Sequence, residues 1–326
     1  MIKGKEELKK YYNQEKIVET YESKRFHNTY KKLQHKIELD LINKYVLTFK
    51  KPKLLEIAVG TGRVTRDMKA KGIGVDTSDN MLKTAKKNAP GWKFIRMDVM
   101  NLKFKEKKDI VVSLRLIRHF NKADRKKAYR NIHDILSKKS IFIFDMPTGR
   151  HNRVLQLIDL FKNQDKIYEA DMSLKDIRKE LKESGFDIIK VYNTKYEGLL
   201  FRSMCIMNDF FNGFYTLLKR KMERNMNKLN IASNILLIVK PKCRINKRTK
   251  ENMPIKETAI IYAACFNENF YLHHKAFPLH KVICRLCHDC NDPPTDRRVH
   301  SHGIWKLMDD SDRGLDNTPY HNFRQC

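Results

Sequence analysis

Lys53–Val64, with the sequence KLLEIAVGTGRV, is the stretch that decides the fold. A short apolar run that contains one acid, Glu56, leads into two glycines, Gly60 and Gly62. The run is typical of a buried strand, and glycines directly after it allow a tight turn that a ligand can approach closely. Turns of this kind hold nucleoside triphosphates, dinucleotides or adenosyl cofactors, and the residues that follow must distinguish among them.

Two of these three ligands are disfavoured by the residues after the glycines. A P-loop requires a lysine and a serine or threonine after its second glycine, whereas Arg63 follows here. A dinucleotide turn requires a third glycine, and that position, counted from Gly60, is Thr65. Asp76 does lie about 20 residues further on, as in dinucleotide folds. The incomplete glycine pattern nevertheless favours an adenosyl cofactor.

Strand and helix patterns alternate after this turn. Strands are predicted at 53–59, 71–76, 92–98, 108–116, 140–147, 187–193 and 234–242, and helices at 63–70, 78–89, 122–136 and 173–186. The alternation predicts a seven-stranded, mainly parallel, doubly wound sheet with helices on both faces. Ligands bind at the carboxyl ends of such strands, where the chain places Glu56, Asp76, Asp98, Ser113 and Asp145.

Residues 10–145 resemble a class I S-adenosylmethionine-dependent methyltransferase of the ubiquinone/menaquinone-methyltransferase-like, small-molecule branch. Four motifs carry the resemblance in order, namely LLEIAVGTGR, GVDTSDNML, FIRMDVMNLKF and DIVVSLRLIRHF. The chain departs from the family at three places: Ala58 replaces a common glycine, Arg118 stands where many relatives carry glutamate, and SKKS replaces a Pro-Gly-Gly turn. The resemblance implies a Rossmann-like methyltransferase sheet and S-adenosylmethionine as cofactor.

The resemblance also implies where the cofactor would lie. Glu56 would face the methionine ammonium, Asp76 would accept the ribose hydroxyls, and Asp98 would accept the adenine amine. The helix expected to begin near Arg63 would offer free N–H groups to the methionine carboxylate. The complete set of implied cofactor-binding residues is Tyr21, Arg25, Glu56, Ala58, Gly60, Gly62, Asp76, Thr77, Met81, Asp98, Val99 and Ser113.

Methyl transfer from a sulfonium is an in-line displacement, so holding donor and acceptor in line supplies much of the acceleration. His119, directly after the fourth strand, is the predicted general base if the acceptor must lose a proton. The acceptor pocket is expected from the N-terminal helices and from residues 199–230, whose Met- and Phe-rich helical face suits a quinone- or lipid-like acceptor. The predicted function is methyl transfer to such a small molecule.

Two further functions remain open. The chain carries a formal net charge of +29, and residues 1–240 hold 53 Lys and Arg against 28 Asp and Glu. This charge allows RNA as the methyl acceptor, or peripheral contact with an anionic membrane. A protein that binds S-adenosylmethionine without catalysis is the third reading. The sequence shows no membrane-spanning run and no secretory signal, so a cytoplasmic protein of unknown oligomeric state is expected.

Composition changes near residue 240 and suggests three segments. Residues 1–47 are expected to form a helical cap, 48–242 the methyltransferase core with a helical lid insertion at about 199–230, and 243–326 a small tail. Six of the seven cysteines and seven of the twelve histidines follow residue 240. No metal is predicted for catalysis; the tail offers a weak zinc alternative, with candidate ligands Cys284, Cys287, Cys290 and His300.

Overall fold

The architecture is seen in a computed structural model, which describes residues 5–148, 169–170, 172–196, 199–211 and 213–242. The strands form one seven-stranded sheet in the order β3-β2-β1-β4-β5-β7-β6. Pairing is parallel from β3 through β5, and β7 runs antiparallel to both β5 and β6. Their bounds are β1 Leu54–Ile57, β2 Gly72–Asp76, β3 Lys93–Arg96, β4 Lys108–Ser113, β5 Leu136–Pro147, β6 Phe186–Tyr196 and β7 Ala232–Pro241.

Helices precede the sheet, connect its strands and fill the segment between β6 and β7. They are α1 Lys5–Tyr12, α2 Glu15–Glu19, α3 Tyr21–Arg25, α4 Thr29–Val46, α5 Asp79–Asn88, α6 Lys122–Asp134, α7 Leu174–Glu183, α8 Leu199–Phe211 and α9 Tyr215–Asn225. Side-chain caps begin several of them, since Ser78 accepts from Met81 N and Ser173 accepts from Asp176 N. The seven predicted strands are confirmed, and so are three of the four predicted helices that follow the glycine turn.

The sheet has two buried faces because consecutive strand residues point to opposite sides. One face packs against α4 and the insertion helices α8 and α9, with core residues such as Leu33, Ile37, Ile110, Ile143 and Phe201. The other face packs against α6 and α7, with core residues such as Val111, Tyr129, Phe142, Phe144 and Leu181. The carboxyl edge of the parallel strands remains between these helical layers.

The helix predicted at 63–70 is wrong, because only a single 3-10 turn forms there, at Thr65–Asp67. Nine residues join the end of the glycine turn to Gly72 at the start of β2. At about 1.5 Å per residue, an α-helix of nine residues covers only about 14 Å. That helix would be about as long as β1, at about 3.3 Å per strand residue. All nine residues would then lie in the helix, and none would remain for the turns that join it to β1 and β2.

The insertion between β6 and β7 contains two helices instead of one continuous apolar stripe. Gly213, which disfavours a helix interior, separates them. Asn208 accepts a hydrogen bond from Phe214 N at 2.8 Å and so holds the corner. Within the stripe predicted from sequence, Phe201 and Leu218 are buried but other members, considered below, are exposed.

None of the described helices is long and apolar enough to cross a membrane. The candidate zinc ligands of the tail lie outside the described residues. Within the described part of the chain, no group of three His, Cys, Asp or Glu side chains is arranged to hold a metal ion.

Candidate functional site

The turn after β1 presents its backbone at the carboxyl edge of the sheet. Ala58, Gly60 and Gly62 have positive φ angles of 59°, 56° and 79°. A Cβ placed on Gly60 would meet no atom within 4 Å, whereas one on Gly62 would lie 3.0 Å from Ala85 Cα. Gly60 therefore leaves its peptide open to a ligand, and Gly62 allows the turn to pack closely on α5.

Asp76 ends β2 beside this turn and is held by backbone donors. Its Oδ2 accepts from Gly60 N at 2.9 Å, and its Oδ1 accepts from Ser78 N at 3.0 Å. Burial raises the pKa of this carboxyl, although the backbone donors act in the opposite direction. An ionised carboxylate has about four acceptor sites, so Asp76 retains capacity for further hydrogen bonds to a ligand.

Asp98 follows β3 and makes an ion pair that the sequence did not predict. Its Oδ1 accepts from Met100 N at 2.9 Å, and its Oδ2 lies 2.8 Å from Lys9 Nζ in α1. Because Lys9 and Asp98 are 89 positions apart, no local pattern links them. A ligand amine at Asp98 would share this carboxylate with the lysine.

These groups line an open cavity, and a concave site with apolar walls and a few polar groups is typical of small-molecule binding. The predicted site residues that line it are Tyr21, Ala58, Gly60, Asp76, Thr77, Met81, Asp98, Val99 and His119. The cavity is also lined by Leu8, Lys9, Tyr12, Ile57, Met97, Met100, Leu114, Arg115, Leu116 and Phe120.

Four predicted site residues do not line this cavity, and they are Arg25, Glu56, Gly62 and Ser113. Arg25 instead donates from Nη2 to the Tyr12 hydroxyl at 2.7 Å and lies over the rings of Tyr12 and Tyr21. Ser113 is fully buried in β4. Arg25 therefore does not line the cavity itself but holds Tyr12 and Tyr21, which do.

Glu56 is buried within β1 and points to the segment after the glycine turn. Its Oε2 accepts from Thr65 Oγ1 at 2.5 Å. Burial raises the pKa of Glu56 to about 8, against the opposing effects of Thr65 and Arg63. A carboxyl that keeps its proton at neutral pH attracts a ligand ammonium only weakly, so the role predicted for Glu56 depends on its ionisation.

We expect Glu56→Gln to remove part of the pH dependence of stability. The unfolded chain releases the Glu56 proton near its ordinary pKa, whereas the folded chain retains it to about pH 8. The free energy of unfolding of the native chain therefore falls as pH rises through this window. The amide keeps an acceptor for Thr65 and cannot ionise.

Urea denaturation of both proteins at pH 5 and pH 8.5 measures this effect. Since one pKa unit corresponds to about 1.4 kcal/mol, the variant should gain on the order of a few kcal/mol relative to wild type at the higher pH. The exposed Glu106→Gln serves as the control and should show no such gain. Equal pH dependence in wild type and Glu56→Gln would contradict a proton held on Glu56.

The three short N-terminal helices cover the cavity and are hydrogen-bonded to its rim. Asn80 Nδ2 donates to Asn13 O at 2.7 Å, and Thr61 Oγ1 donates to Glu22 Oε1 at 2.7 Å. Glu22 also pairs with Arg66 at 3.2 Å. The contacts lie on the glycine turn and at the start of α5, so α1–α3 are held against the predicted cofactor segments.

The segment after β4 forms the remaining wall. Arg115 there has a φ of 59°, a left-handed conformation that is uncommon for a residue with a side chain. Its backbone N donates to Asp145 Oδ1 at 2.5 Å, and its Nη2 pairs with Glu38 of α4. The strained backbone, held by Asp145, thus carries a guanidinium at the cavity wall, and Glu38 holds that guanidinium in place.

Arg118, which replaces the glutamate of many relatives, makes a buried ion pair. Its Nη2 pairs with Asp145 Oδ2 and also donates to Asn234 Oδ1 at 2.6 Å. Burial alone would raise the pKa of Asp145, but Arg118 and Arg115 outweigh it and hold that pKa below its ordinary value. Arg118 therefore connects the segment after β4 to β5 and β7.

The comparisons with known proteins agree with this geometry. Residues 54–139 match a family model described as a methyltransferase domain. No curated protein sequence matches the chain significantly. The matched residues extend from β1 into β5, and so contain the glycine turn, Asp76, Asp98 and the segment after β4.

Solved structures share the fold at low sequence identity. Magnesium protoporphyrin IX methyltransferase from Synechocystis PCC 6803 with bound SAH is 15% identical with a TM-score of 0.50, covering 73% of this chain and 100% of that one. A possible histamine N-methyltransferase from Thermotoga maritima is 18% identical with a TM-score of 0.49, covering 71% and 99% respectively. Identities of this size bear on the fold and not on the acceptor.

The family match and the fold together support S-adenosylmethionine as the cofactor. Residues 54–139 of this chain match a methyltransferase domain, and the seven-stranded sheet that contains them has the fold of a solved methyltransferase structure.

Proposed function

We propose that the chain transfers a methyl group from S-adenosylmethionine to a small acceptor with an apolar part. The observation that carries this proposal is the cavity in which Asp76, the open backbone of Gly60 and the covering helices α1–α3 converge. When bound, the cofactor supplies a methyl group on a sulfonium, which is activated for in-line displacement. The chain's own part is to bind, orient and exclude water.

Recognition of the cofactor is assigned to the ends of β2 and β3. Asp76 has acceptor capacity for the ribose hydroxyls, and Asp98 offers a carboxylate for the adenine amine. Met81 and Val99 supply apolar walls between them. The helix N-terminus that was predicted to bind the methionine carboxylate does not form. Arg115 is proposed to bind that carboxylate instead, since its Nη1 has no hydrogen-bond partner within the described residues.

The acceptor is assigned to the wall after β4. Leu114, Leu116 and Phe120 make this wall mainly apolar, which favours a quinone- or lipid-like acceptor over a polar one. The covering N-terminal helices favour a small molecule over a polynucleotide. Holding the acceptor in line with the methyl group at this wall would accelerate the transfer. Effective molarities of about 10⁵–10⁸ M set the scale of that acceleration.

His119 lies in this wall, is 8% exposed and is proposed as the general base. We expect His119→Asn to lower kcat by about 100-fold, the lower end of the usual range for a general base, with the Kd for S-adenosylmethionine unchanged. His27→Asn, in the exposed connection between α3 and α4, is the matched control. A kcat within threefold of wild type would show that His119 packs but does not transfer a proton.

Labelled-methyl transfer into a fractionated cell extract tests the proposed function. Label in lipid or in a small apolar product supports it. Label in RNA would favour the RNA methyltransferase alternative, and cofactor binding without turnover on any fraction would favour the non-catalytic alternative. Calorimetry that detects no binding of S-adenosylmethionine or S-adenosylhomocysteine would contradict all three.

A further inference from the structure

Helix α8 is apolar on both of its faces. Its inward face is buried against α4, where the rings of Phe201 and Tyr30 lie 6.2 Å apart and Asn208 Nδ2 donates to Thr29 Oγ1 at 2.9 Å. At about 100° per residue, the remaining residues form an outward arc about 140° wide. This outward arc, here called the α8 arc, consists of Leu200, Ser203, Ile206, Met207, Phe210 and Phe211.

The α8 arc is exposed and carries no charge. Its five apolar side chains are between 46% and 77% exposed. The two charged side chains of the helix contact α4 instead, since Asp209 Oδ1 accepts from Thr29 N at 2.7 Å and Arg202 lies 5.1 Å from the ring centroid of Tyr30. Helices that are apolar all round are normally buried, so this surface is suited to a partner.

Helix α9, which follows α8 in the chain, carries positive charge. Arg220, Lys221 and Arg224, here called the α9 basic cluster, form no ion pair with any residue that the structure describes. Lys219 differs, because it lies 3.5 Å from Glu223 and 3.9 Å from Asp40. Leu217, 48% exposed, lies among the cluster and extends the apolar surface onto α9.

We propose that the α8 arc and the α9 basic cluster bind the surface of an anionic phospholipid membrane. An apolar helical arc with phenylalanines enters the boundary between headgroups and acyl chains, and nearby lysines and arginines pair with lipid phosphates. Both elements are present here on consecutive helices joined at Gly213.

Charge argues against a second copy of the chain as the occupant. A two-fold interface would place the same patch on both subunits, and so would bring two α9 basic clusters together. Residues 1–240 already hold 53 basic against 28 acidic side chains, so this contact would be repulsive. An anionic bilayer supplies the complementary charge and the apolar depth together.

This location also bears on the acceptor, a step that rests on the proposed function. Helix α8 packs on Tyr30, and Glu38 of the same α4 pairs with Arg115 in the cavity wall. Eight residues of helix separate Tyr30 from Glu38, which is about 12 Å. A membrane held by α8 would therefore be connected to the cavity wall through α4, the helix that contacts both α8 and that wall.

Vesicle sedimentation tests the proposal without requiring activity. The full chain should bind vesicles of phosphatidylcholine with phosphatidylglycerol, bind phosphatidylcholine alone far more weakly, and lose affinity as salt increases. Phe210→Ser combined with Phe211→Ser should weaken binding by at least about tenfold, because both side chains leave the apolar phase. Arg220→Glu combined with Arg224→Glu should weaken it by at least about 25-fold, at about fivefold for each basic residue lost.

Matched controls lie on other surfaces. Leu47→Ser removes an equally exposed apolar side chain after α4, and Lys127→Glu with Arg130→Glu reverses two exposed charges on α6, across the sheet. Both should bind like wild type. The proposal is overturned if anionic vesicles are not bound, if the α6 reversals weaken binding as much as the α9 reversals, or if the phenylalanine variant changes only a monomer–dimer equilibrium.

Discussion

Asp76→Ala is expected to weaken S-adenosylmethionine binding by about 100-fold or more. The carboxylate ends β2, is fixed by Gly60 N and Ser78 N, and faces the cavity with acceptor capacity to spare. Hydrogen bonds to a charged group contribute about 1.5–3 kcal/mol each. Two ribose hydroxyls would therefore account for about 3–6 kcal/mol, and about 1.4 kcal/mol corresponds to each tenfold change in Kd.

Calorimetry with S-adenosylmethionine and S-adenosylhomocysteine measures this loss, and thermal denaturation of the free protein shows whether the glycine turn survives. Asp79→Ala, three positions later, is the matched control because its carboxylate makes an exposed ion pair with Arg96. That control should bind as wild type does. A Kd for Asp76→Ala within threefold of wild type, in a folded protein, would remove Asp76 from the cofactor site.

Asp145→Ala is expected to destabilise the fold by about 3–5 kcal/mol, the usual cost of removing one partner of a buried ion pair. Asp145 is fully buried, and its loss removes the only fully buried carboxylate that the described residues pair with Arg118, as well as the acceptor of the Arg115 backbone N. For a chain of this size, about 2–4 °C of Tm corresponds to each kcal/mol, so we expect a decrease in Tm of about 10 °C.

The exposed pair of Lys36 and Asp40 supplies the contrast, since its carboxylate is 41% exposed. Asp40→Ala should cost less than about 1 kcal/mol, as is usual for surface ion pairs. Replacing both buried partners, with Asp145→Leu and Arg118→Met, should recover part of the loss because no unpaired charge then remains. If Asp145→Ala and Asp40→Ala cost the same, the buried pair does not stabilise the sheet as inferred.

Low pH should weaken the buried ion pair between Asp145 and Arg118. The pKa of Asp145 is lower in the folded chain than its ordinary value. The contribution of Asp145 to the free energy of unfolding is therefore complete above the ordinary pKa, and it is lost as pH falls through the pKa of the folded chain. Glu56 has the opposite sign, because burial raises its pKa and its contribution falls as pH rises.

Much of the architecture could be predicted because strands and helices have local signatures. The apolar run before Gly60 predicted β1, and Ser78 and Ser173 predicted helix starts that the structure confirms. The helix predicted at 63–70 does not form, although its local sequence favours one. Its residues are compatible with a helix, but the distance to the start of β2 had to be known to see that it does not fit.

The site was predicted less completely than the fold. Strand ends in a parallel sheet meet at one edge, so Asp76 and Asp98 could be placed together from order alone. Lys9 at Asp98 and Glu38 at Arg115 could not, because each pair joins segments far apart in the chain. Nothing near Arg118 in sequence indicates that it would meet Asp145 and Asn234.

By itself, therefore, the sequence determined which functional groups follow which predicted strand: Glu56 and the glycine turn at the first, Asp76 at the second and Asp98 at the third. That order was enough to predict the sheet and the adenosyl cofactor. Only the tertiary structure decided which charges are buried together and which apolar faces stay exposed. The apolar spacing of α8 cannot show that Phe201 is covered while Phe210 is not. The physical reason is that periodicity is a property of neighbouring residues, whereas burial and ionisation depend on what distant segments bring within a few ångströms.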